Sequence, residues 1–357
     1  MKILPKRVRT VAAIFGAATM LFGAQAGVAH AGTDAREMAG DQALATITIG
    51  ANASVKPKWR PYVQGYGSRV QEMWAYSPSM SRFVPLVVIR AKDVNAPTIY
   101  LLNGGDGGEG IANWVMQTDV IEFYLDKNVN VVIPMSGKFS YYADWQQENA
   151  SLGGKQYWET FLTKELPVPM EELLQANGKR AVMGMSMTAT TTLLYAEHHP
   201  GFYDAIGSFS GCAQTNDPLG RAALAVTLQR GDATPEQMYG PMNSEYALYQ
   251  DALVNAEKLR GTTMYISNGT GLAGPWDLWT SPRIQYNSLG VAVNTIEGGL
   301  IEGTTNICTH NLAAKLKSYN IPATFNFRNV GTHSWGYWWD DIQQSWPVIA
   351  PALGITA

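Results

Sequence analysis

The chain has only two cysteines and five histidines among 357 residues, and only 15% of its residues are charged, against about 25% in an ordinary soluble domain. The one close histidine pair is His198-His199, whose adjacent side chains would diverge on a helix, so no spacing reads as a metal site and no metal is expected. No stripe of Lys and Arg is present to neutralise phosphates, which argues against nucleic acid as a partner. Beyond the first two dozen residues no apolar run approaches the roughly 18 residues of a membrane span. Linkers, low-complexity tracts and fixed-period repeats are missing as well, so one domain of α/β type is the simplest organisation for the bulk of the chain.

The N-terminus stands apart. Lys2, Lys6, Arg7 and Arg9 precede an apolar run over 11–24, and Ala29-His30-Ala31 has the small-x-small form of a signal-peptidase site. Residues 1–31 therefore read as an export signal, with cleavage after Ala31 and a mature domain from 32 to 357 in the cell envelope or outside it. Removing them takes away four of the 26 basic residues and none of the 29 acidic ones, leaving a net charge of −7. In an exported protein Cys212 and Cys308 are a natural count for one disulfide, with two buried thiols as the alternative.

Residues 46–50, 68–76 and 85–91 read as strands separated by Pro- and Gly-bearing turns, an antiparallel opening. From Pro97 the pattern changes to short apolar runs alternating with helical stretches, the signature of a mostly parallel sheet. Strands are expected at 98–102, 129–134, 180–184, 205–210, 264–267 and 323–328, with helices at 111–126, 157–166, 169–176, 188–199 and around 313–318. Residues 217–258 are helix-prone without a clear strand and read as a helical insertion over one face of the sheet.

Chemistry concentrates at two places. Gly184-Met185-Ser186-Met187-Thr188 falls where a strand turns into a helix, and Gly331-Thr332-His333-Ser334-Trp335 follows the last strand. A serine hydroxyl needs a neighbouring base, held by a third group, and the order Ser, acid, His along the chain belongs to the α/β-hydrolase fold. Thr188 departs from the small residue usual two positions after the nucleophile, and a buried helix-capping serine is the bland alternative. The glycine-rich run 104–110 after strand 98–102 reads as an oxyanion loop. Its Gly105 amide would act with that of Met187, the residue after the nucleophile. Asp106 and Glu109 would repel phosphate, which disfavours a phosphate cradle. Three carboxylates, Asp277, Glu297 and Glu302, lie between strand 264–267 and His333, and spacing alone does not choose among them.

The segments Tyr100-Leu101-Leu102-Asn103-Gly104, Ile133-Pro134-Met135-Ser136-Gly137, Ser140-Tyr141-Tyr142-Ala143-Asp144-Trp145, Trp158 to Glu165, Gly184 to Met187, Ser208-Phe209-Ser210-Gly211 and Gly331 to Trp338 occur in this order. Together they resemble the secreted mycolyltransferases of the antigen 85 family and their corynebacterial-type relatives, over nearly all of the chain from Tyr62. The resemblance implies that Glu302, in Ile301-Glu302-Gly303, is the acid, and that an acceptor sugar lies near Asn103 and Trp335. It further implies a Ser186 acyl-enzyme. That intermediate would pass a mycolyl group from trehalose monomycolate to a sugar of trehalose monomycolate or arabinogalactan, or to an envelope protein hydroxyl, with no cofactor. Mycobacterial members carry Asp where this chain has Asn103 and Arg where it has Asp106, so their mode of trehalose recognition does not carry over. A secreted carboxylesterase of the same fold, or a catalytically silent envelope binding protein, are the alternatives.

Overall fold

A computed structural model describes residues 32–284 and 287–355. The expected export signal, residues 1–31, lies outside the described residues. Nine strands form one sheet: β1 (Thr46–Ile49), β2 (Val70–Ser77), β3 (Arg82–Ile89), β4 (Thr98–Leu102), β5 (Asn130–Pro134), β6 (Arg180–Met185), β7 (Ala205–Phe209), β8 (Thr263–Asn268) and β9 (Thr324–Phe327). Their spatial order is β1-β2-β3-β5-β4-β6-β7-β8-β9. The first three strands and the β3–β5 pair are antiparallel, and every pair from β5 to β9 is parallel. The change of rhythm at Pro97 is thus the change from hairpins to crossovers, and the architecture is the expected α/β-hydrolase fold.

β4 to β7 are buried at every position, which is why they read as unbroken apolar runs rather than alternating ones. Each face of the sheet has its own core. On one side Leu193, Leu194 and Tyr195 of helix α1 (Met187–His198) pack among residues such as Leu102, Val182 and Ile206. On the other, Trp338, Ile342, Trp346 and Ile349 of helix α4 (Trp335–Ala352) pack against Ala181, Met183 and Phe209. Two further helices matter for the site: α2 (Pro218–Leu228), within the helical insertion, and α3 (Gly299–Ser318).

The order of the strands locates the site. After β4 the chain moves outward to β5, whereas after β6 it moves the opposite way to β7. A crevice therefore opens between the carboxyl ends of β4 and β6, where open α/β sheets bind ligands. The glycine-rich loop leaves β4 there, and Ser186 leaves β6.

Several expectations are corrected. The helix expected over 111–126 is two short pieces, Trp114–Gln117 and Val120–Leu125. The side chain of Asn113 accepts from Met116 N and starts the first piece three residues late. The helix glimpsed at 313–318 is the end of a long one: Ser288–Val293 and α3 are joined by a π-turn over Asn294–Gly298. Gly290, Gly298, Gly299 and Gly303 mask it in sequence. α4 was not expected at all, because Pro347 and Pro351 lie inside it and proline argues against a helix interior.

Candidate active site

Ser186 is held at φ 57°, ψ −123°, a region that costs a non-glycine residue energy and persists only where surroundings impose it. Ser186 N donates to Phe209 O of β7 at 2.8 Å, and α1 begins at the next residue, so the side chain projects from a sharp strand-to-helix turn. A Cβ at Gly184 would lie 2.4 Å from Thr188 Oγ1, so only glycine fits there. This contact also explains the departure at Thr188. Its buried hydroxyl accepts from Met185 N and donates to Met185 O, both at 3.1 Å, so the threonine ties down the turn that a smaller residue would merely accommodate.

His333 Nε2 lies 2.7 Å from Ser186 Oγ, and its Nδ1 lies 2.8 Å from Glu302 Oε2. An ionised carboxylate can only accept, which puts the ring proton on Nδ1 and leaves Nε2 free to accept the serine proton. Glu302 is completely buried in the first turn of α3. Its second oxygen, Oε1, accepts from Gly269 N at 2.6 Å, Ser210 Oγ at 2.8 Å and Asn268 Nδ2 at 3.1 Å. A buried carboxylate needs such donors to offset its lost hydration. The imidazole is braced from outside as well, edge-on to Trp338 at 4.9 Å between centroids, while His333 N donates to Gly298 O at 3.0 Å.

The other two carboxylates do not reach the ring. Glu297 is exposed, 3.9 Å from Arg230. Asp277 is buried and accepts from both neighbours of His333, from Thr332 Oγ1 at 2.6 Å and Ser334 Oγ at 3.3 Å, and from Tyr337 OH at 2.6 Å. It grips the loop that carries the histidine rather than the histidine itself.

Gly105 and Met187 flank Ser186 on the wall of one cavity, and among the described residues neither amide donates to a carbonyl or side chain. The loop comes close enough that a Cβ at Gly104 would meet Met185 Sδ at 2.6 Å. Asn103 is a correction. It is fully buried and does not line the cavity; its Nδ2 donates to Pro134 O at 2.8 Å and its Oδ1 accepts from Trp114 N at 3.0 Å. Its amide anchors the loop to β5 and is not available to a sugar. Asp106 shapes the same loop by accepting from Gly110 N and Ala112 N, each at 3.0 Å. Trp335 does line the cavity, edge-on to Trp114 and Trp338.

The Esterase family, described as "Putative esterase", matches residues 77–347. Diacylglycerol acyltransferase/mycolyltransferase Ag85A of Mycobacterium leprae (strain TN) is 30% identical over 308 residues, 81% of this chain and 85% of that protein. Ag85A of Mycobacterium tuberculosis (strain ATCC 25618 / H37Rv) is 30% identical over 321 residues, 86% of this chain and 87% of its own. The chain belongs to the Ag85 family of mycolyltransferases. It is accordingly an acyltransferase. Solved structures agree on the fold: Mycobacterium tuberculosis MPT51 superposes with a TM-score of 0.62 at 21% identity, covering 78% of this chain and 96% of that one. An S-formylglutathione hydrolase from Agrobacterium tumefaciens gives 0.56 at 14%, covering 79% and 96%.

In this Ag85-family chain the cavity above Ser186 measures about 610 Å³. Its walls are the apolar faces of α2, with Leu219, Ala223 and Val226, and of α3, with Leu300 and Ile301. The insertion expected over 217–258 thus supplies one wall of the site. A disulfide joins Cys212, on the cavity wall, to Cys308 on α3, 96 residues away in sequence. Sequence reasoning missed Ser210 as a donor to Glu302, and missed Phe139 and Tyr141, cavity residues held at φ 53° and 54°; Ser210 and Tyr141 lie in segments that carry the family resemblance, but nothing in those segments assigns them a role. Among the described residues no helix is long and apolar enough to cross a membrane.

Proposed function

We propose that this acyltransferase moves a mycolyl group from trehalose monomycolate, through an ester on Ser186, to a hydroxyl of a second sugar or of an envelope protein. The observation that carries the reading is the 2.7 Å contact of Ser186 Oγ with His333 Nε2 at the wall of a large apolar cavity, a space suited to an acyl chain. The printed names of the relatives supply the mycolyl group. The basic and apolar leader ending in Ala29-His30-Ala31 supports export to the compartment where such acceptors occur.

In the first half-reaction Ser186 Oγ attacks the ester carbonyl while its proton passes to His333 Nε2. Glu302 keeps the ring in the required tautomer and stabilises the imidazolium. The amides of Gly105 and Met187 donate to the oxyanion as charge develops on it. The tetrahedral intermediate collapses, the bond to trehalose breaks, and His333 returns the proton to the departing sugar oxygen. In the second half an acceptor hydroxyl repeats these steps in reverse order and frees Ser186. Trp335, beside the cavity and packed on two other tryptophans, offers an apolar plane for the face of a sugar. Transfer outruns hydrolysis to the extent that the bound sugar displaces water from the acyl-enzyme.

The test is mass analysis of products formed from trehalose monomycolate alone, and with arabinogalactan fragments or a serine-bearing envelope peptide added. Mycolylated acceptor in excess of free mycolic acid supports the reading. Free acid as the sole product under every condition would make the protein an esterase, and failure of a fluorophosphonate to label Ser186 would remove the nucleophile altogether.

A further inference from the structure

Glu302 has one more neighbour that the reaction scheme leaves unused. Arg328, the residue after β9, places NH2 3.4 Å from Glu302 Oε1. Its NH1 lies 2.6 Å from both carboxylate oxygens of Asp341 on α4. Asp341 is completely buried and Arg328 partly so, with 13% of its side chain exposed and the guanidinium lying 5.4 Å from the centre of the Tyr337 ring. Arg328 precedes the loop that carries His333 and Asp341 follows it. The ion pair therefore closes that loop at its base while its free edge touches the acid.

Every charged or titratable group facing this network can be named. Glu302 faces His333 from the loop, Arg328 from β9 and, at longer range, Asp341 from α4; its remaining partners, Ser210, Asn268 and Gly269, are neutral. Asp341 faces Arg328 and, at 3.5 Å, the Tyr265 hydroxyl of β8, and Arg328 also faces the Tyr337 ring of α4, whose hydroxyl donates to Asp277. Two buried carboxylates share one guanidinium, an arrangement in which loss of the cation leaves uncompensated charge.

We propose that Arg328, anchored by Asp341, is a positioning residue for Glu302: it holds the acid's second oxygen and sets how much of the carboxylate's negative charge is felt by the imidazole. The inference rests on the Ser186–His333–Glu302 reading above. It distinguishes Arg328 from a residue that merely braces the loop, because a charge on the acid's far side alters the proton affinity of the catalytic base and a brace does not. Removing the cation should favour the protonated base. Removing Asp341 exposes the base to a less neutralised cation and should favour the unprotonated form. Burial already pushes the Asp341 carboxyl up to about 6, so Asp341 will tend to take up a proton once the guanidinium is gone. The charge nearest Glu302 is still the one removed, and the direction stands.

The experiment measures kcat/KM for p-nitrophenyl butyrate against pH in the wild type, Arg328→Met, Arg328→Lys and Asp341→Asn, with active sites counted by fluorophosphonate titration. The acid limb of this profile reports protonation of the free enzyme's base. Its position does not depend on how much of a sample is folded. The limb should move up by about half a pH unit or more in Arg328→Met and down by a similar amount in Asp341→Asn, with Arg328→Lys close to wild type. Limbs that stay in place, or that move in the same direction in Arg328→Met and Asp341→Asn, overturn the proposal while leaving the triad intact. A wild type with no titratable serine takes the triad down and this inference with it.

Discussion

Asp277 offers a demanding test of how the histidine is held, because it touches neither the ring nor any reacting atom. Three short hydrogen bonds end on its buried carboxylate, from Thr332 Oγ1 and Tyr337 OH at 2.6 Å and from Gly274 N at 2.9 Å. Hydrogen bonds to charged groups contribute roughly 1.5 to 3 kcal/mol each, and stranding the donors costs about the same. Asp277→Ala should therefore destabilise the protein by at least about 4.5 kcal/mol, a large share of the roughly 5 to 15 kcal/mol that a domain possesses. Asp277→Asn keeps one acceptor oxygen but turns an NH2 toward Gly274 N–H or Thr332, and should lose about 1 to 3 kcal/mol. Since Thr332 and Ser334 flank His333, both variants should also label more slowly with a fluorophosphonate, in the same order. Urea unfolding followed by tryptophan fluorescence measures the first effect, and labelling rates under folded conditions the second. An Asp277→Ala protein within about 1 kcal/mol of wild type and labelled at the wild-type rate would refute the clamp.

Two further perturbations probe the frame around the site. Replacing both Cys212 and Cys308 by serine opens a link between positions 96 residues apart and should lower stability by about 4 to 5 kcal/mol in the chain-entropy treatment; an unchanged urea midpoint would mean the bridge constrains nothing. On the far end of α1, Glu159 accepts from His198 Nδ1 at 2.9 Å and His199 Nε2 at 2.8 Å. Although burial opposes it, this pairing draws the Glu159 carboxyl down from 4.5 to about 2. A depressed carboxylate contributes stability above its unfolded value that disappears as pH falls through its folded one, here about 3 kcal/mol lost between about 4.5 and about 2. The stability of Glu159→Gln should decline less steeply than wild type across that window, and parallel curves would count against the pairing.

What could be read in advance was governed by where the information lies. The parallel core of the sheet was legible because strands buried on both faces leave continuous apolar runs, as in β4, β5 and β7. Ser186 and His333 were legible because strained turns and loop histidines carry short motifs. The acid was not legible from spacing, since Asp277, Glu297 and Glu302 all fall between β8 and His333 and differ in which way they face; only the family resemblance of Ile301-Glu302-Gly303 singled out Glu302. Asn103 was placed near the sugar by the resemblance alone. Whether its amide is already committed to Pro134 O and Trp114 N is decided by chain segments 11 and more residues away. Arg328 and Asp341, on either side of the histidine, are unremarkable in sequence and meaningful only as a pair across two elements.

The central claim is that Ser186 carries the acyl group, and the most direct measurement is the intact mass of the protein after brief exposure to trehalose monomycolate without acceptor. With Ser186 Oγ 2.7 Å from His333 Nε2, the wild type should gain the mass of one mycolyl group, and Ser186→Ala, with activity reduced by a factor on the order of 10⁴ or more, should gain none. A mycolyl increment on folded Ser186→Ala would contradict the account.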